Sequence, residues 1–201
     1  MSARKTSRAP ALRLGGSAFL LLALAGLLLV PAAFADDPPP ASPPAPPEQI
    51  AAPAGCSEYI VNGGIEGAID PYTDPYWKFS GSGTQSGDYK HSGSYALRVG
   101  GTADGYAYQQ VTLPANTSTA TLTYWILMDT AETSHPFDYY KTTLRNSGGG
   151  ILATLRELND GSSGYQHTWV QETSELGATY AGQTIQIRFE ASVDSSYYTY
   201  W

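Results

Sequence analysis

Five side chains carry the clearest chemical possibilities in this sequence: Tyr108, Trp125, Tyr139, Arg188 and Glu190. Aromatic faces stack on the apolar faces of saturated rings, and charged and amide groups bind hydroxyls, so the set suits reversible recognition of a polar ligand. Bond-breaking fits less well. His91, His135 and His167 are scattered, and neither an H-E-x-x-H nor a G-x-S-x-G pattern is present. Ser, His and Asp residues are available, but nothing in their spacing arranges them as a nucleophilic triad. A glycosidase needs two facing carboxylates, and no pair among Asp129, Glu132, Asp138, Glu157 and Glu190 stands out. The expected chemistry is binding without turnover, and the chain is not expected to be an enzyme.

Those side chains must be positioned by strands. Apolar residues alternate with Thr, Tyr, Gln and Ser in segment after segment, and Gly, Asn, Asp and Pro punctuate them at short intervals. The pattern predicts strands over residues 58–61, 76–80, 94–99, 106–113, 119–128, 138–145, 150–156, 165–172 and 184–190, and no helix of any length. Because successive strand side chains point opposite ways, the alternation also assigns faces. Leu122, Tyr124, Ile126 and Met128 are expected inside, with Thr121, Thr123, Trp125 and Leu127 outside. Ile185, Ile187 and Phe189 point in and send Gln186, Arg188 and Glu190 out. Tyr140, Thr142 and Leu144 face the core, so Tyr139, Lys141 and Arg145 lie outside; Val111 and Leu113 likewise turn Tyr106, Tyr108 and Gln110 away. Two antiparallel sheets packed through the apolar sets make an all-β sandwich, and eight or nine strands suit a jelly roll, with an immunoglobulin-like sandwich as the alternative.

At the N-terminus, Arg4, Lys5, Arg8 and Arg13 precede an apolar run from Ala18 to Val30 that ends near Ala33-Phe34-Ala35. The run is too short for the ~20 residues of a membrane span and reads as a signal peptide over 1–35, so the protein is expected to be secreted. Residues 36–55 are Pro- and Ala-rich, including Pro38-Pro39-Pro40, and are expected to form an extended spacer ahead of a domain spanning 56–201. Removing the first 35 of 201 residues leaves all 18 acidic side chains and 7 of the 11 basic ones, a net charge of −11. Such a balance disfavours nucleic acid and anionic lipid as partners. Cys56 is the only cysteine, so the fold stands on its core without an internal disulfide.

Several phrases resemble those of jelly-roll modules, carbohydrate-binding or galactose-binding-like, carried by secreted bacterial glycoside hydrolases and proteases. They are Asn62-Gly63-Gly64-Ile65-Glu66, His91-Ser92-Gly93-Ser94-Tyr95-Ala96-Leu97-Arg98-Val99, Phe137-Asp138-Tyr139-Tyr140, and the stretch from Ala181 to Glu190. The resemblance implies a secreted carbohydrate-binding module whose outward residues Tyr108, Trp125, Tyr139, Arg188 and Glu190 meet the sugar. The alternative is an accessory or protein-interaction domain of a secreted protease-like system, with a secreted protein as partner. It also implies a structural calcium ion held by Glu66 and the His91 to Gly93 backbone, together with an Asp of a closing strand beside the first strand. The sequence reaches Trp201 where that strand is expected to begin, so the calcium site is expected to be incomplete. The same reading expects a chain truncated before its last strand and an open sheet edge that a partner could complete by strand addition.

Overall fold

A computed structural model describes residues 56–201. The expected signal segment and linker lie outside the described residues. Twelve strands follow one another: β1 (Trp77–Gly81), β2 (Thr84–Ser86), β3 (Ala96–Arg98), β4 (Gly100–Gly101), β5 (Gly105–Thr112), β6 (Thr121–Ile126), β7 (Asp129–Thr130), β8 (Tyr139–Asn146), β9 (Ile151–Asn159), β10 (Val170–Glu175), β11 (Thr184–Ser192) and β12 (Thr199–Tyr200). One layer is a five-stranded sheet in the order β1-β5-β11-β8-β9, antiparallel throughout. The facing layer is assembled from shorter ladders, β2 with β3, β4-β12-β7, and β6 with β10. Val99 and Trp201 exchange backbone hydrogen bonds of 2.8 and 3.0 Å, which carries β3 into the β4-β12 ladder. The path crosses between layers from β1 to β2, β4 to β5, β5 to β6, β7 to β8, β9 to β10, β10 to β11 and β11 to β12. That is the jelly-roll sandwich expected from the sequence rather than the immunoglobulin-like alternative.

The core lies where alternation puts it. Ala107 and Val111 of β5, Tyr140 and Leu144 of β8, and Ile185, Ile187 and Ala191 of β11 point inward. They pack on Val99, Leu122, Ile126, Met128 and Trp201 of the other layer. Each such aliphatic side chain contributes about 1.5–3 kcal/mol through removal from water. Two polar networks tie the layers together. Tyr124 from one layer and Tyr140 from the other both bond to the Thr142 hydroxyl, at 2.7 and 2.8 Å. Burial pushes both phenols above the ordinary tyrosine range. A second cross-layer tie runs along the side, where Arg156 Nε stands 3.2 Å from Glu172 Oε1 and the Tyr165 hydroxyl bridges the two residues.

The expected strand at 58–61 is absent. Its place is taken by a side-chain clamp: the buried Gln109 amide accepts from Val61 N at 2.7 Å and donates to Val61 O at 2.8 Å, pinning the segment without a ladder. The expected strand at 165–172 begins only at Val170, after a short 3-10 turn over Ser163–Tyr165. Leu127, assigned outside, is buried. The 94–99 strand breaks at Gly100, whose φ of +90° and close approach to β12 exclude a side chain: a Cβ there would stand 2.3 Å from the Thr199 carbonyl oxygen.

Residues 197–201, expected to mark the start of a closing strand, supply β12, which lies inside the second layer with the Trp201 ring packed on Tyr140 at 5.9 Å. Among the described residues β1 pairs with β5 alone, and this is the edge to which the expectation of strand addition refers.

Candidate binding face

Four of the five expected ligand-binding residues meet on the outer face of the five-stranded sheet. Tyr108 of β5 is the cross-strand partner of Arg188 on β11. Glu190 stands two residues further along β11 beside Tyr106 and Lys141, and Tyr139 of β8 is opposite Ser192. Together with Asp104, Arg145 and Ile151, these residues, apart from Tyr108, line a cleft of about 490 Å³.

The floor of this cleft is an ordered charge network. Arg145 Nη2 donates to Glu190 Oε1 at 2.8 Å and Oε2 at 2.9 Å, while Nε donates to the Thr143 hydroxyl and Nη1 to Gly149 O. Thr143 in turn donates to Glu190 Oε1 at 3.3 Å, which explains how an outward-facing threonine is fully buried. Arg188 lies flat on the Tyr106 ring, with Cζ 3.3 Å from the ring centroid. Its Nε is 3.1 Å from Glu190 Oε2, yet makes no hydrogen bond. The two observations agree once direction is considered: this is charge proximity with poor N–H alignment. Burial draws the Arg188 guanidinium below its ordinary value, Glu190 opposes that shift and Arg145 adds to it; a guanidinium remains charged throughout. At the edge of the sheet Lys141 pairs with Glu157 at 3.2 Å.

Trp125 does not join this face. It stands on β6 in the other layer, where the His91 ring stacks on it at 4.0 Å and 13° and Trp169 meets His91 edge-on at 5.7 Å. The reason is topological: alternation tells which way a side chain points from its own sheet, but not which sheet that is. Tyr106, Lys141 and Arg145 belong to the cleft although they were not among the expected ligand-binding residues. Their outward orientation was legible, and their convergence became visible only with the order β5-β11-β8.

Glu66 and the loop carrying His91 do come together, as the resemblance implies. Both Glu66 carboxylate oxygens accept from Ser94 N at 3.0 Å, and the Asn62 side chain brackets the Glu66 backbone at 2.9 Å on either side. A Cβ at Gly93 would fall 2.0 Å from Glu66 Oε1, so the glycine makes room for the carboxylate. His91 is engaged with Trp125. Among the described residues no three His, Cys, Asp or Glu side chains converge on a metal position. Glu66 thus caps the 91–95 loop through its carboxylate.

No family model matches this chain, and no curated protein matches it. Solved structures similar to it include a family 61 carbohydrate-binding module in complex with β-1,4-galactotriose, at 15% identity and a TM-score of 0.45, covering 72% of this chain and 93% of that one. A family 16 carbohydrate-binding module is 17% identical at a TM-score of 0.44, covering 71% and 94%. The xylan-binding family 22 domain of a Paenibacillus barcinonensis protein is 14% identical at a TM-score of 0.40, covering 75% and 92%. Likeness of this degree assigns neither a ligand nor a residue role.

Proposed function

We propose that the chain is a secreted, non-catalytic module that binds an extracellular carbohydrate on the outer face of its five-stranded sheet. The observation that carries the reading is the cleft of about 490 Å³ in which Tyr106 and Tyr139 flank Arg145, Arg188 and Glu190. Tyrosines offer flat faces for sugar rings, the guanidinium groups donate to ring substituents, and strands hold both in place without loop closure. Glu190 is committed to Arg145 and Glu157 to Lys141, which leaves Asp104 without a facing carboxylate partner, so binding without turnover is the economical role. The basic and apolar character of residues 1–35 supports export.

The test is binding to a glycan array and insoluble polysaccharides by the wild-type protein and by Tyr106→Ala, Tyr139→Ala and Trp125→Ala. Loss of binding in the two cleft variants, with Trp125→Ala unaffected, is the expected result. A folded protein that retains no glycan, or one whose binding disappears only with Trp125→Ala, would overturn the assignment of this face. The first of these outcomes would favour the accessory or protein-interaction reading, for which the exposed Ile151 and Leu152 on edge strand β9 are the available surface.

A further inference from the structure

The cleft floor has more donors than acceptors, and this imbalance carries a statement about the ligand. Glu190 is its central acceptor, and both oxygens are already engaged: Oε1 by Arg145 and Thr143, Oε2 by Arg145 with Arg188 alongside. Asp104 at the rim accepts from Val193 N at 2.8 Å. Arg188, by contrast, donates no side-chain hydrogen bond among the described residues: its Nε is sealed beside Glu190 Oε2, and its terminal nitrogens, on a side chain set over the Tyr106 ring, are the donors left for a ligand. A sugar hydroxyl donates as well as accepts, and of the carboxylate oxygens lining the cleft only Asp104 Oδ2 is left to receive its hydrogen. A carboxylate only accepts, and its planar geometry matches a guanidinium edge.

Charge placement points the same way. The chain carries a formal charge of −7, and residues 56–201 contain only seven Lys and Arg. Four of these, Lys78, Lys141, Arg145 and Arg188, stand on the outer face of the five-stranded sheet, against Glu157 and Glu190 on its strands. The cleft lining itself has three cations and two carboxylates. An acidic protein has therefore placed three of its domain's seven cations in the cleft where the ligand is proposed to bind.

We infer that the ligand is an acidic polysaccharide whose uronic-acid carboxylate is received by Arg188. This rests on the carbohydrate-binding reading above and narrows it to a chemical class. The experiment compares polygalacturonate, the same polymer after its carboxyl groups have been reduced to alcohols, and dextran sulfate, by affinity electrophoresis and titration calorimetry on the full chain. Expected are binding of polygalacturonate at least about tenfold tighter than of the reduced polymer, a loss worth ~1.4 kcal/mol or more, and weakening with added salt. Arg188→Gln should remove that preference, so that the variant binds the native and the reduced polymer alike. If Arg188→Gln does not fold, the wild-type comparison of polymers still decides the matter. Equal binding of native and reduced polymers, or binding only of neutral glycans, overturns the acidic-ligand inference and leaves the carbohydrate-binding reading standing. Equal binding of dextran sulfate and polygalacturonate overturns the carboxylate assignment in favour of general attraction to polyanions. No binding of any glycan by a folded chain overturns both.

Discussion

Replacing Glu190 with glutamine keeps the shape of the cleft floor and removes the one charge that holds two guanidinium groups together. In the wild type, Arg145 Nη2 donates to both carboxylate oxygens at 2.8 and 2.9 Å, and Arg188 Nε lies 3.1 Å away. The Arg145 and Glu190 side chains are 14% and 19% exposed, so the pair is neither a surface pair nor fully sealed. Exposed pairs contribute about 0–1 kcal/mol. Breaking a fully buried one costs about 3–5 kcal/mol, because the remaining charge is stranded. The geometry places Glu190→Gln between these limits, at about 2 kcal/mol, and for a domain of this size that lowers the midpoint of thermal unfolding by roughly 4–8 °C. Urea titration reads the same loss as a lower midpoint with an unchanged slope. A change below about 0.5 kcal/mol would refute the reasoning, since it would mean that water screens the network as it screens an ordinary surface pair.

Three other outcomes follow from the core. Thr142→Val removes the hydroxyl shared by Tyr124 and Tyr140 and is expected to cost about 1–3 kcal/mol by chemical denaturation, whereas Thr121→Val at the exposed end of β6 should be near neutral. Both of these tyrosines have folded-state values raised above 10.0, so their contribution is complete below that pH and fades as pH rises through their folded values. Stability should fall by about 1.4 kcal/mol per pH unit per tyrosine above pH ~10, and phenolate absorbance should show both ionising at higher pH in the folded chain than in the unfolded one. Gly100→Ala sets a Cβ 2.3 Å from the Thr199 carbonyl oxygen at a φ of +90°, and a loss of about 3 kcal/mol in thermal unfolding, with fluorescence reporting exposure of Trp201, is expected.

The strands were legible because one face of each is buried. Leu122, Tyr124 and Ile126, or Ile185, Ile187 and Phe189, leave only one register that keeps their side chains from water. The same signal oriented Tyr108, Tyr139, Arg188 and Glu190 outward. It could not place Trp125, because an outward residue reads alike in either layer of a sandwich. Nor could it find Gln109 as a substitute for a ladder at 58–61, since a polar residue at an inward position has no signature until its partner is known. Thr143 and Gln186 point outward yet are buried, covered by long charged neighbours whose reach alternation does not encode. The loop-capping role of Glu66 rests on its meeting with Ser94, a contact 28 positions apart in sequence.

The placement of β12 has a consequence for the order in which the molecule forms. Thr199 pairs with Gly101 on one side and with Thr130 on the other, the nearer of these partners 69 positions earlier in the chain. Long-range pairings of this kind form slowly, because the closure entropy of the intervening loop is lost before the contact repays it. A chain emerging N-terminus first therefore holds β4 and β7 apart until residues 199–201 arrive, and only then can Trp201 enter the space beside Tyr140. The ladder β4-β12-β7 is therefore the part of the second layer that is completed last, and the Trp201 contact with Tyr140 closes with it.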